Sequence, residues 1–319
     1  MKPVSISLVI PSYNRGNLIG ETIDSALAQS LAFSEIVVVD DGSTDNTAQV
    51  LASYGDKIRV VQLVNGGVQR ARNSGVAVAT GNYITLCDSD DLLSPQFVEK
   101  TTGYLQEHPA TDAIYCNFIT FNKSGNGADK FSLAPAGFFN GALQQGEFLT
   151  DVPELYRRTL GYQPLFMSGC LIRKAFYDEL GGFNTKFNNI GAEDWEFTLR
   201  VIATGKVALC NTVLAKVRKH DGNESTDTIR QVLGTAAILD YALTAHPLAA
   251  TYRLEILDNI AYRRSLVFQE AFAQGRFDLA EEMLSLLVNR GSDLKFRIKV
   301  WIMRLPVTWR QRAWRLTQR

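Results

Sequence analysis

Asn82-Tyr-Ile-Thr-Leu-Cys-Asp-Ser-Asp-Asp-Leu-Leu93 is an apolar run that ends abruptly in three carboxylates. Tyr83 to Cys87 reads as a strand, so Asp88, Asp90 and Asp91 fall at the rim of a sheet. Carboxylates this close repel one another unless a cation or positive groups offset them, and hard divalent ions such as Mg²⁺ and Mn²⁺ prefer oxygen ligands. One reading is a metal-diphosphate site. The other is a polar loop capping the helix that Ser94 and Pro95 begin, with Ser at the N-cap and Pro at the first helical position.

Upstream of this stretch, short β-branched runs alternate with helical patterns, the signature of βαβ units in a mostly parallel sheet. Ser5 to Ile10 is the first expected strand. A helix follows behind a cap at Asn17, with Leu18, Ile19, Ile23, Ala26 and Leu27 at helical spacing. Glu35 to Val39 is a second strand, apolar on both faces as a buried parallel strand should be. Ile58 to Leu63 is a third strand, Gly67 to Ala79 a helix, and Pro95 to Glu107 another. Asp112 to Phe121 reads as a further strand, and Asn122 to Gly146, without periodicity, as a flexible insertion. Short strands near Gly169 to Ile172 and Val207 to Val217 flank a helix that begins near Ala192. Beyond about Thr226 the pattern is wholly helical, and Phe268 to Leu287 has the flavour of a single tetratricopeptide-type hairpin.

Ligands of an open parallel sheet bind at the carboxyl ends of its strands. Three polar clusters stand there: Pro11-Ser-Tyr-Asn14, Asp40-Asp-Gly-Ser43 and Asp88-Ser-Asp-Asp91. Each alone is ordinary turn chemistry. Together they suit a nucleoside pocket in which Tyr13 lies flat against a base, Asp41 accepts a pyrimidine N–H and Asp88 holds a ribose hydroxyl. The helix after the third strand adds Arg70 and Arg72, which point in different directions; one is expected at the surface and the other in the acidic pocket.

The segments S-L-V-I-P-S-Y-N-R, V-V-V-D-D-G-S-T-D-N-T, A-R-N-S-G and D-S-D-D, in that order and at these separations, resemble the family 2 inverting glycosyltransferases of the GT-A fold over about residues 5 to 220. The resemblance implies an α/β fold, a mixed, mostly parallel sheet flanked by helices, followed by a C-terminal helical region. It divides the chain into a nucleotide-sugar-binding catalytic domain at 1–225 and a helical region with a basic tail at 226–319. It implies nucleotide contacts from Pro11, Tyr13, Asn14, Asp41, Arg72 and Asp88, and a Mn²⁺ or Mg²⁺ ion on Asp90 or Asp91, with His220 nearby. It implies sugar contacts from Ser168, Gly169 and Trp195, and Asp194 as the base, with Glu193 orienting the acceptor. A carboxylate that takes the acceptor hydroxyl proton is what an inverting transfer demands. Glu193-Asp194 has a plainer role too, because acidic residues favour a helix N-terminus.

The implied reaction moves a sugar from a nucleotide-diphosphate donor, uridine favoured, to a glycan or lipid-linked hydroxyl, as in cell-surface glycan assembly. The competing reading is a catalytically silent sensor or scaffold that keeps the pocket. A nucleotidyltransferase would show a Gly-rich phosphate loop, and a processive synthase would show membrane spans and Q-x-x-R-W; neither is found in the sequence.

The 319 residues are 46% hydrophobic, enough for a substantial core. No run of about 18 apolar residues occurs, and the N-terminus lacks signal-peptide regions, so the expectation is a cytoplasmic protein, peripheral at the inner face of a membrane if its tail binds there. Cys87, Cys116, Cys170 and Cys210 are widely spaced and read as reduced, buried thiols.

The formal charge is zero, yet residues 290–319 hold nine cations (Arg290, Lys295, Arg297, Lys299, Arg304, Arg310, Arg312, Arg315 and Arg319) against Asp293, a net +8. Tryptophans and aliphatics interleave with these cations. The mixture fits either an interfacial segment on anionic lipid or a terminal helix docked on the protein. No nucleic-acid module is recognisable.

Overall fold

The computed structural model describes residues 3–220, 228–287 and 294–317. Asp221, Gly222, Arg290, Asp293, Arg319 and the expected boundary at 225–226 lie outside the described residues. The chain divides into two compact units, Met1–Asn189 with Glu193–Asn223, and Ile190–Ala192 with Glu224–Arg319.

The first unit is built on one twisted sheet. Its opening half runs β1 (Ile6–Ser12), α1 (Ile19–Leu27), β2 (Glu35–Asp40), α2 (Thr47–Ala52), β3 (Arg59–Gln62), α3 (Val68–Val78), β4 (Tyr83–Leu86), β5 (Leu92–Leu93) and α4 (Phe97–Glu107). Next come β6 (Ala113–Asn122), β7 (Gly125–Asp129), β8 (Leu143–Gln145), β9 (Phe148–Thr150), α5 (Leu155–Gly161), β10 (Cys170–Arg173), α6 (Lys174–Glu179), α7 (Glu193–Thr204) and β11 (Val207–Arg218). The strand order is β3-β2-β1-β4-β10-β6-β11-β9-β8. Strands β3, β2, β1 and β4 are mutually parallel, β10 is antiparallel to both β4 and β6, and β11 runs parallel to β6.

Strand alternation sets the two core layers. Leu8, Ile10 and Val38 face one side with Ile19 and Ile23 of α1 and Phe97 of α4. Val9, Val37 and Val39 face the other, with Ala71 and Val76 of α3 and Phe197 of α7. Because the sheet is covered on both faces, β2 can carry apolar residues at successive positions, Ile36 to Val39.

Two local expectations shift. Helix α1 begins at Ile19 and no side chain caps it, since the backbone N–H groups of Leu18 and Ile19 both bond to Arg15 O in a preceding turn. Residues 122–146 are not a structureless insertion. They carry β7 and β8, and buried Asn117 ties them down: its Nδ2 donates to Asp129 Oδ1 at 2.8 Å, and its Oδ1 accepts from Phe131 N at 3.0 Å. Phe131 and Phe138 are buried, and Arg158 Nη1 donates to Phe138 O and Asn140 O. Periodicity failed there because aromatic anchoring, not a repeating face, orders the segment.

The second unit comprises α8 (Thr228–Ala245), α9 (Arg253–Ala273), α10 (Phe277–Leu286), α11 (Leu294–Met303) and α12 (Val307–Thr317). Val267, Phe268, Phe272, Met283, Phe296 and Val300 form its core. The α9–α10 pair is the hairpin expected from the sequence. No helix among the described residues is long and apolar enough to cross a membrane. All four cysteines are free and buried.

Candidate active site

The three polar clusters are set side by side because β2, β1 and β4 are adjacent and parallel. Pro11 is buried within β1, and past the strand end the Tyr13 ring is 45% exposed. Asn14 adopts a left-handed conformation, φ 50°, which an Asn tolerates. Its Oδ1 accepts from Thr44 N at 2.8 Å and Asp45 N at 3.3 Å, so it fastens the first cluster to the second.

Asp41 is buried, and its carboxylate accepts from Gly66 N and Gly67 N at 2.8–3.1 Å. These bonds fix the turn that launches α3. A carboxylate has about four acceptor positions, so capacity for a ligand N–H remains. From the far side Asn188 donates to Gly66 O at 2.8 Å.

Helix α3 then projects Arg72 inward, while Arg70 stays at the surface on Val64 O. Arg72 Nη2 donates to Asp88 Oδ1 at 2.6 Å, and its guanidinium lies 5.1 Å from the Phe183 ring centroid. Burial opposes the Arg72 charge, but Asp88, Glu193 and Asp194 together hold its pKa above the ordinary arginine value. Its Nε and Nη1 are buried and have no hydrogen-bond partner among the described residues. Asn73, next in the A-R-N-S-G run, clamps the loop before α7: Nδ2 donates to Phe183 O, and Oδ1 accepts from Phe183 N and the Tyr177 hydroxyl.

The D-S-D-D loop separates its carboxylates by environment. Asp88 keeps a 28% exposed side chain. Asp90 Oδ2 lies 3.0 Å from His220 Nε2 and 3.7 Å from Arg15 Nε. Asp91 is buried: its Oδ2 accepts from Ser168 Oγ at 2.6 Å and its Oδ1 from Arg218 N at 2.9 Å. Burial, reinforced by Asp88 and Asp90, pushes its pKa well above the usual carboxylate range. Asp91 is thus engaged within the protein, while Asp90 keeps its carboxylate beside His220 and Arg15.

Ser168 also differs from expectation. It is fully buried, accepting from Asp88 N at 3.0 Å while donating to Asp91, so its hydroxyl is used within the protein and not on a sugar. Gly169, at φ +95°, forms the turn into β10, where a Cβ would come 3.0 Å from Ala215 Cβ of β11. Trp195 is buried within the α7 core, too covered to offer its ring face to a sugar.

Glu193 and Asp194 open α7 and are half-buried. Burial raises the Asp194 pKa, Arg72 opposes that rise, and Asp88 adds to it. Arg72 thus couples the carboxylate of the β4 loop to those at the start of α7.

Arg15, Arg218 and Asn188 were not anticipated. Arg218 Nε donates to Asp90 O and its Nη2 to Glu21 Oε2, so the end of β11 holds the acidic loop from outside. Arg15 closes the first motif in the sequence, which was the available signal; Asn188 carried none. Asp90 Oδ2 and His220 Nε2 contact each other, which puts a carboxylate oxygen and an imidazole nitrogen side by side at the acidic loop. Among the described residues no group of three or more His, Cys, Asp or Glu donors converges.

Residues 7–160 match the model described as glycosyl transferase family 2. The chain is 27% identical over 301 residues to the chondroitin synthase of Pasteurella multocida strain Pm70, covering 93% of this chain and 29% of that protein. It is 37% identical over 123 residues to the glycosyltransferase GlyG of Streptococcus pneumoniae serotype 4, covering 37% of this chain and 40% of that protein. The chain therefore spans less than half the length of either relative. The structure of S. aureus TarS 1-349 in complex with UDP-GlcNAc superposes with a TM-score of 0.62 at 20% identity, covering 94% of this chain and 79% of that one. That likeness establishes the fold as GT-A, with C-terminal helices following.

Proposed function

We propose, from the match of residues 7–160 to the glycosyl transferase family 2 model, that the chain transfers a sugar, with inversion, from a nucleoside-diphosphate donor to the hydroxyl of a glycan or lipid-linked acceptor. The observation that carries this reading is the placement of Arg72, bonded to Asp88 and electrostatically coupled to Glu193 and Asp194. Three segments distant in the chain meet at that one side chain.

In this reading the exposed Tyr13 ring stacks on the base, and Asp41 holds the turn before α3 while keeping an acceptor for a base N–H. Uridine is the favoured base, in keeping with the UDP-GlcNAc bound by TarS. Asp88, oriented by Arg72, takes a ribose hydroxyl with its exposed oxygen.

Asp90 and His220 are the residues that would hold a Mn²⁺ or Mg²⁺ ion. A single carboxylate with substrate phosphates is a usual way of binding such an ion, so this small donor set fits it. Bound there, the ion would offset the charge of the departing diphosphate. Asp194 takes the acceptor proton: the acceptor oxygen bonds to the anomeric carbon as the carbon–phosphate-oxygen bond breaks, and the electron pair leaves with the diphosphate. Burial makes Asp194 a stronger base than an ordinary aspartate. Glu193 orients the acceptor.

A thermal-shift panel of nucleotide sugars with and without Mn²⁺ tests the donor. A ligand at 100 times its Kd stabilises by about 2.7 kcal/mol, so one donor class should stand out, and only when the metal is present. No stabilisation by any nucleotide sugar, with transfer also absent, would sink the proposal.

A further inference from the structure

Helix α11 is apolar on two opposite sides. At 3.6 residues per turn, Phe296, Val300 and Met303 share one side and are buried in the core of the helical unit. Leu294, Ile298 and Trp301, spaced i, i+4 and i+7, share the other and are 68%, 44% and 60% exposed. Lys295 and Arg297 are exposed along the borders of that stripe.

Helix α12 repeats the arrangement. Its Trp314 faces the protein, with Nε1 donating to Phe272 O at 2.6 Å and its ring edge-on to Phe277. On the opposite side Trp309 and Leu316, seven apart, are 64% and 72% exposed, with exposed Arg312 between them.

Residues 294–317 hold seven cations and no carboxylate. Lys299 and Arg310 lie over the Phe272 and Phe277 rings. Lys295, Arg297, Arg304, Arg312 and Arg315 are exposed.

We infer that the exposed faces of α11 and α12 form a docking surface for an anionic lipid bilayer, with Trp301 and Trp309 at headgroup depth, Leu294, Ile298 and Leu316 in the acyl boundary, and the cations on lipid phosphates. Charge and apolar stripe together are complementary to such a surface alone among the obvious occupants. A nucleic acid would meet the cations but leave the aliphatic stripe uncovered, and a second copy would bring five exposed like charges against five. Amphipathic segments of this kind lie in the interface plane, and each cation near an anionic surface adds about a fivefold gain in partitioning. Binding is independent of the transfer reading, because none of these residues belongs to the candidate active site.

The test is flotation of the full chain with vesicles of phosphatidylcholine alone or with phosphatidylglycerol added, in low and high salt. The expected result is co-flotation with the anionic vesicles only, a blue shift of tryptophan emission, and weakening by salt. Ile298→Glu with Trp301→Glu should abolish flotation, and Arg297→Ala with Arg304→Ala should weaken it about 30-fold. Both pairs sit at exposed positions, so circular dichroism should remain that of the parent. Absence of flotation would overturn the inference, as would flotation that both variants retain. A concentration-dependent dimer, or RNA binding, that Ile298→Glu/Trp301→Glu removes in the absence of vesicle binding would overturn it as well.

Discussion

Arg72 Nη2 and Asp88 Oδ1 lie 2.6 Å apart, an ion pair between a buried guanidinium on α3 and a partly exposed carboxylate in the loop after β4. It joins two separate segments of the chain, and the buried Nε and Nη1 of Arg72 have no hydrogen-bond partner among the described residues.

Arg72→Met removes the cation and strands Asp88 beside Glu193 and Asp194. Breaking one partner of a buried pair costs about 3–5 kcal/mol, and the exposure of Asp88 puts this case at the low end. UDP affinity should fall at least tenfold by calorimetry. The double variant Arg72→Met/Asp88→Asn should be more stable to heat than Arg72→Met alone, since the uncompensated charge is gone; equal or lower stability would show that the pair is not electrostatically coupled.

Asp194→Asn should lower the transfer rate about 10²- to 10⁴-fold while UDP binding is retained. The parent should show a pH limb with a definite sign. Because burial raises the Asp194 pKa, the deprotonated base is lost as pH falls through a value above that of an ordinary aspartate. A kcat/KM profile flat down to the range of a solvated carboxylate would remove Asp194 from this role.

Glu196 and Arg200 form a two-armed bridge within α7, Nε to Oε1 and Nη2 to Oε2, both at 2.7 Å. Arg200 also donates to Leu180 O and Gly182 O, tying α7 to the loop before it. Glu196 is buried, so Glu196→Ala leaves a largely buried cation without its carboxylate. A loss of about 3–5 kcal/mol is expected, lowering the melting temperature by roughly 6–20 °C. A shift under 2 °C in calorimetry would contradict it.

Gly75→Ala pits helix propensity against packing. A Cβ there would lie 2.4 Å from Val9 Cγ1 and 2.8 Å from Val39 Cγ2. Alanine gains up to about 1 kcal/mol of helix propensity, while overpacking costs about 1–3 kcal/mol, so net destabilisation is expected. Adding Val9→Ala should restore part of the loss in urea unfolding, because it vacates the closer contact.

Much of this fold was legible because its signals are local. The valine run of β2 and the helical spacing of α3 each report their own burial, and the inward Arg72 of A-R-N-S-G came through the family resemblance, whereas the clamp at Asn73 and the close approach at Gly75 depend on distant backbone. The acidic loop was equally plain as a cluster, but not the division of labour inside it.

The amino-acid order by itself determined the alternation of elements, the three polar clusters at strand ends and the basic, tryptophan-bearing tail. Only the tertiary structure decided that β10 lies antiparallel between β4 and β6, which brings Ser168 onto Asp88 and Asp91 from about 80 positions away. It also decided that Arg218, 127 positions on, holds Asp91 and so separates it from Asp90, and that Trp195 faces the core. Periodicity and turn chemistry depend on neighbours within a few residues, whereas these choices depend on which distant backbones close against one another.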